Sequence, residues 1–286
     1  MANLKEIRMR IVSVNSTMQI TSAMKMVSAA KLRRAQDAIT KMRPYAQKLQ
    51  EILSNVSSSE SNSTFSQQRD VKSTLVVAIT SNRGLCGGFN NNVIKEIRTI
   101  VNSNPNVHVL SLGKKAFDVY KKTSMHTTEG FSETPYEIFD NLTFSNVSAI
   151  ANTIMDHFAS GKYDKVVLVY NRFKNAAVQV IENEQFLPVL PPANAEAQSN
   201  VDYIFEPEKT QILEELIPRT LKVQLFKALL DSNAAEHGAR MTAMHKATDN
   251  AGEMVKELKL TYNKARQAAI TGEILEIVAG AEALNG

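Results

Sequence analysis

Apolar residues recur near the start of the chain at alternating steps of three and four: Leu4, Ile7, Ile11, Val14, Met18, and later Leu32, Ala35, Ile39 and Met42. This spacing is the narrow seam of a coiled coil and predicts one long helix over residues 4–57. The seam turns polar at Thr21, Lys25 and Ser28, where a second row, Ile20, Ala23, Met24, Val27 and Ala30, is expected to carry the apolar contact. Pro44 removes one helical hydrogen bond and is a candidate kink. The polar run over residues 57–64 cannot bury a core and reads as a linker that continues to residue 70.

The period then changes. Four β-branched runs, at 74–80, 107–112, 165–170 and 177–181, alternate with helical stretches near 91–101, 114–121 and 145–158. The first three are almost continuously apolar, as strands covered on both faces are. Strand alternating with helix predicts a parallel α/β domain over 71–190. Pro188, Pro191 and Pro192 open a second linker, placed over 191–207.

From residue 208 the pattern is helical again. Met241, Met244, Thr248, Ala251, Val255, Leu258, Tyr262, Ala265 and Ala269 repeat the three-four spacing, and Pro218 is a second candidate kink. At 1.5 Å per residue the terminal helices would be roughly 80 and 110 Å long, too long to wall a compact domain. The fold expected is an all-α rod with an α/β insert. In it the long N- and C-terminal helices form an antiparallel coiled coil around a Rossmann-like parallel α/β domain, and the longer helix overhangs.

Charge sharpens this picture. Of 286 residues 43% are apolar and 22% charged, which excludes a wholly disordered chain. Residues 1–57 carry ten Lys/Arg against three Asp/Glu, while the rest of the chain is net negative within an overall charge of +4. The basic helix has no aromatic residue before Tyr45, so an acidic protein surface fits it better than nucleic acid. After Arg266 no basic residue follows, and residues 268–281 are apolar almost all round. A helix of that kind is buried, so an overhanging tip requires a protein sleeve. No apolar run approaches eighteen residues, the start lacks a secretory layout, and the single cysteine, Cys86, fits a reducing cytoplasm.

Enzymatic chemistry has one candidate place, the loop SNRGLCGG at 81–88 between a strand and a helix. A phosphate loop would need Gly-Lys-Ser/Thr where Phe89 follows, and a dinucleotide loop needs glycine at Cys86. A tight turn is the reading this leaves. Cys86 has no sequence partner as a nucleophile. His108, His126, His157, His237 and His245 make no ligand cluster, so neither metal nor cofactor is expected. Glu236 with His237, and His245 with Asp249, are expected to make helix-surface contacts, and Glu273 with Glu276 to be solvated or partner-facing.

Six segments carry a family resemblance: IRMRIVSV at 7–14, QITSAMKMV at 19–27, ARMTAM at 239–244, ATDNA at 247–251, YNKARQAAIT at 262–271 and EILEIVAGA at 273–281. They resemble the gamma subunit of rotary F-type ATP synthases from end to end. Three positions depart from the pattern: Asn82 for aspartate, Ala235 for serine and Gly272 for a larger polar residue. The resemblance implies a non-catalytic central shaft, without cofactor, inside a ring of three alpha and three beta subunits. Its foot would stand with the epsilon subunit on the membrane c-ring. Rotation would couple proton flow to ATP synthesis and regulate ATPase activity, with the tip acting mainly as a guide. It also implies that Met24, Arg240, Arg266, Gln267 and Thr271 contact the beta subunits or tune coupling. Without a chloroplast-type insertion or transit peptide, the expected setting is the cytoplasmic face of a bacterial inner membrane, as a peripheral protein.

Two other classes stand beside this reading. A nucleotide-dependent enzyme would use residues 81–88 and bind nucleotide tightly as an isolated chain. A filament protein would pair its terminal helices and polymerise with itself.

Overall fold

A computed structural model describes residues 4–57, 64–104, 106–131, 134–189 and 209–285. Of the expected linkers, residues 58–63 of the one over 58–70 and all of the one over 191–207 lie outside the described residues. The elements in order are α1 (Leu4–Ser57), β1 (Thr74–Ile79), α2 (Phe89–Ser103), β2 (Val107–Leu112), α3 (Lys114–Tyr120), a 3-10 turn (Pro135–Asn141), α4 (Phe144–Ala159), β3 (Lys165–Phe173), β4 (Gln179–Leu187) and α5 (Lys209–Asn285). The chain divides into two compact units, residues 1–27 with 241–286, and residues 28–240.

In the larger unit the sheet order is β2-β1-β3-β4. β1 pairs in parallel with β2 and β3, whereas β4 runs antiparallel to β3 and closes the edge. The expected parallel layer is therefore present with one antiparallel addition, a hairpin partner longer than the apolar run at 177–181 that marked it. The middle of β4, residues 182–185, is polar, so hydropathy alone could not extend the strand to the buried Phe186 and Leu187.

All of β1 is buried, and the period of two sends its side chains to two separate cores. Leu75, Val77 and Ile79 pack with Leu110, Leu112, Val166 and Leu168 under α4 (Val147, Ile154, Phe158) and α5 (Ile217, Leu221, Leu225, Leu229). Val76 and Ala78 pack with Val109, Val167 and Val169 under α2 (Val93, Ile97) and α3 (Ala116, Tyr120). Helices on both faces explain the near-continuous apolar strands. A polar tie fixes α5 on its side: Tyr170 Oη donates to Glu184 at 2.7 Å, and Gln224 Nε2 donates to the other oxygen of the same carboxylate at 2.7 Å.

In the smaller unit α1 pairs with the end of α5. Thr248 Oγ1 lies 2.9 Å from Thr21 Oγ1, and a Cβ on Gly252 would stand 3.7 Å from Met18 Sδ. Moving back three residues on one helix thus moves forward four on the other, which makes the pair antiparallel.

The seam of α1 corrects one expectation. Ile7, Thr21, Ser28, Leu32, Ala35 and Ile39 are all buried, and Ile11, Val14, Met18 and Lys25 are half-buried between them. The polar stretch stays on the seam. At 100° per residue Ile20, Ala23, Val27 and Ala30 of the supposed second row lie away from the seam, where Ile20 is 60% exposed and Met9, Val12 and Val27 are exposed with it, while Met24 flanks the seam and is half-buried. The Thr21 hydroxyl can be buried there because it bonds locally, donating to the Met18 carbonyl at 3.0 Å.

Both long helices continue through their prolines, Pro44 in α1 and Pro218 in α5. The neighbours of those prolines meet each other: Arg219 Nε donates to Tyr45 Oη at 2.8 Å, with the guanidinium 5.9 Å from the ring centre. Among the described residues no helix is long and apolar enough to cross a membrane.

Candidate functional site

The loop at 81–88 is held from three sides. From below, Ser81 Oγ donates to the Arg83 carbonyl at 2.6 Å, while the Asn90 side chain accepts from Ser81 N at 3.0 Å and donates to Cys86 Sγ at 3.2 Å. From the sheet, Asn171 Nδ2 donates to the Phe89 carbonyl at 2.9 Å. From α5, Arg240 Nη2 donates to the carbonyl of Arg83 at 2.9 Å, and its Nε and Nη2 both reach that of Gly84 at 3.3 Å. Cys86 and Phe89 pack against Ala235 and Ala239, with Phe173 beside them. These small residues let α5 approach closely. At Gly238 an added Cβ would already stand 3.3 Å from Ala176 Cα and from the Phe173 ring.

The turn reading of this loop therefore holds, and its chemistry is closed. Burial pushes the Cys86 thiol up, with the Ser81 hydrogen bond opposing, so the sulfur stays protonated and is a poor nucleophile. The N-terminus of α3, which abuts this loop and could also receive an anion, is occupied by the chain itself. Gly113 has no side chain to cap α3, yet its first three free N–H groups are satisfied: Lys114 N by Asn82 Oδ1 at 3.1 Å, Lys115 N by the Ser81 carbonyl at 3.1 Å, and Ala116 N by Thr80 Oγ1 at 2.9 Å. This gives Asn82 a physical reason. While its oxygen caps α3, its amide nitrogen donates to Asp140 at 3.3 Å, where a second carboxylate would repel.

The expectation that Glu236 and His237 make surface contacts is corrected. Glu236 is buried, and its Oε1 lies 2.6 Å from Arg240 Nη1, which is also 3.4 Å from His237 Nδ1. The i,i+4 pair faces the loop instead of solvent, because the small residues around it draw that side of α5 inward. His245 and Asp249 do pair on the helix surface, at 3.3 Å with both exposed. Burial raises the Glu236 carboxyl even though Arg240 opposes it, so desolvation outweighs the attraction at this carboxyl.

His237 is pushed down to about 4 by burial, then by the Arg240 and Lys31 charges. Its folded value lies below the unfolded 6.5, so unfolding takes up a proton at acid pH. The stability it contributes is complete above pH 6.5 and drains as pH falls toward 4; Glu236, raised, works in the opposite sense. His237→Gln is expected to recover about 2 kcal/mol near pH 4, after discounting for partial exposure, and nothing at pH 7. Urea midpoints of both proteins at the two pH values check this; equal acid losses would refute it.

The remaining candidate residues lie elsewhere. Met24, half-buried on α1, belongs to the smaller unit, as do Arg266, Gln267 and Thr271, all exposed on α5. Arg240 belongs to the larger unit and is 8% exposed. The structure gives it an internal set of partners that spacing alone did not announce. The signal available was a charged i,i+4 pair embedded in Ala234, Ala235, Gly238 and Ala239. Beyond Thr271, Ile274, Leu275, Ile277 and Val278 are at least half exposed, with Glu273 and Glu276 exposed among them. Among the described residues no group of three His, Cys, Asp or Glu side chains could hold a metal ion.

Comparison with known proteins agrees along the full length. The family model described as ATP synthase matches residues 3–284. The ATP synthase gamma chain of Flavobacterium johnsoniae is 62% identical, with 100% of both chains covered; that of Christiangramia forsetii is 56% identical, again over 100% of each. Among solved structures, a chain of the central stalk and c-ring of the Tetrahymena thermophila mitochondrial ATP synthase is 30% identical, with a TM-score of 0.57, covering 80% of this chain and 99% of that one. A chain of the Euglena gracilis mitochondrial ATP synthase shares the fold, with a TM-score of 0.67 at 23% identity over 98% and 94% of the two. Matched from one end to the other by gamma chains of this identity, the chain belongs to the ATP synthase gamma family.

Proposed function

We propose that this chain is the central-stalk rotor of an F-type ATP synthase. It turns inside a ring of three alpha and three beta subunits, stands with the epsilon subunit on the membrane c-ring, and does no bond chemistry itself. The observation that carries this is the end of α5, where Ile270, Ile274, Leu275, Ile277 and Val278 stand exposed on a helix with no basic residue after Arg266. Such a surface is stable only inside another protein. The exposed apolar side of α1, opposite its seam, supports the same reading.

The mechanism follows from symmetry. One asymmetric shaft in a threefold ring touches each catalytic subunit differently, and only differential contacts bias a conformational equilibrium. A third of a turn permutes the three biases. Proton flow drives the shaft and releases ATP; hydrolysis drives it backward and pumps protons. Met24, Arg266, Gln267 and Thr271 would meet the beta subunits or tune coupling directly. The setting that goes with this role is peripheral, on the cytoplasmic face of a bacterial inner membrane.

The test is reconstitution with alpha and beta subunits of the same source. One copy per three-plus-three ring on gel filtration, with altered ATP turnover and visible rotation of an attached bead, is expected. No complex with correctly folded partners would overturn the reading, and self-polymerisation or tight nucleotide binding by the isolated chain would favour the filament or the enzyme. Within the complex, Met24→Lys sets a cation beside the beta subunits and should lower protons pumped per ATP about fivefold or more, the low end of a typical coupling energy. Unchanged ATP-driven pumping would remove Met24 from the coupling surface.

A further inference from the structure

Arg240 and the loop it holds carry an inference that rests on the rotor reading and deepens it. Every nitrogen of the guanidinium is committed inside the unit: Nη1 to Glu236, Nε to the Gly84 carbonyl, and Nη2 to the carbonyls of Arg83 and Gly84. With 8% of the residue exposed, none of this fork is left for a ring subunit. What the fork fixes is a short strained turn. Leu85 has φ +63° although it carries a Cβ, and it is 64% exposed. A non-glycine residue persists in that region only where its surroundings over-determine it. Here the surroundings are the two carbonyls just before it, gripped by Arg240, and Cys86 just after it, buried against Ala235 and Ala239. The buried Glu236–Arg240 pair thus serves shape, Glu236 anchoring the guanidinium that grips the turn.

We infer that Arg240 is a positioning residue of the rotor: it acts on coupling through the turn at residues 83–86, which it holds so that Leu85 projects outward, and not by touching a ring subunit with its own side chain. The other candidate coupling residues on α5, Arg266, Gln267 and Thr271, are exposed and need no such intermediary.

The chain has one cysteine, and it lies in this turn at 2% exposure, so its labelling by a maleimide reports whether the turn is held. In the isolated full chain Arg240→Gln should speed Cys86 labelling about tenfold or more, the range of a buried group released by local opening. Arg240→Lys, which keeps the charge but not the fork, should fall between it and wild type. Leu85→Ala should leave labelling near wild type. In the reconstituted complex both Arg240 variants should lower protons pumped per ATP in the same order as their labelling rates. The double variant Arg240→Gln/Leu85→Ala should be no worse than the worse single, because both act through one element. Coupling lost with labelling unchanged, or losses that multiply in the double variant, would overturn the inference and return Arg240 to direct contact. So would unchanged coupling in Arg240→Lys and Arg240→Gln alike. If Arg240→Gln does not fold, the graded comparison of lysine with wild type decides alone. Failure of the wild-type chain to form a coupled complex would count against the rotor reading instead, and the labelling rates would still test the grip on the turn.

Discussion

Gly113→Ala is expected to destabilise the larger unit by about 3 kcal/mol or more, combining a left-handed backbone with an overpacked site. Gly113 sits between β2 and α3 with φ +126°, and a Cβ there would lie 2.1 Å from the Thr80 carbonyl oxygen and 2.7 Å from its hydroxyl. Neither atom can yield. The Thr80 hydroxyl caps Ala116 N, and Thr80 N donates to the Leu112 carbonyl at 2.9 Å, so moving Thr80 undoes the parallel junction and the α3 terminus together. The urea midpoint of the full chain measures this. A shift under about 0.5 kcal/mol, the size of an ordinary surface substitution, would show that the junction relaxes freely.

Removing Glu236 should cost about as much. Glu236→Ala leaves Arg240 buried without its anion, and breaking such a pair from one side typically costs about 3–5 kcal/mol; the two loop carbonyls that Arg240 keeps place the expectation at about 3 kcal/mol. Replacing both partners, as in Glu236→Leu/Arg240→Met, should cost less than the single change, since no uncompensated charge stays inside. A double variant less stable than Glu236→Ala would mean that the hydrogen bonds to the loop, more than the ion pair, dominate the site.

Much of this architecture was legible in the residues because burial had written itself into period. The seam from Ile7 to Ile39 and the apolar runs at 74–80 and 107–112 appear in the structure close to where spacing put them. The extent of β4 was not legible, since Glu182 and Glu184 on it look like surface residues until Arg172 and Tyr170 are seen to pair with them. Nor was the side of α1 that faces its partner at Thr21 and Ser28. Hydropathy scores a hydroxyl as polar, while a helix lets it bond to its own backbone and be buried at little cost. The inward turn of Arg240 was hidden for a related reason: charge reads as exposure until the acceptors, two carbonyls more than 150 residues away, are located.

That polar step in the seam has a mechanical consequence. A two-helix drive shaft under torque fails most easily by one strand sliding along the other, and a uniform apolar seam offers nearly equivalent seats one heptad apart, about 10 Å along the axis. Thr21 and Thr248, 2.9 Å apart, break that equivalence. One heptad of slip in either direction would set Thr21 against Met241 or Val255, so sliding climbs out of a notch before reaching the next. The least greasy point of the seam is the tooth that keeps the two strands in step under load.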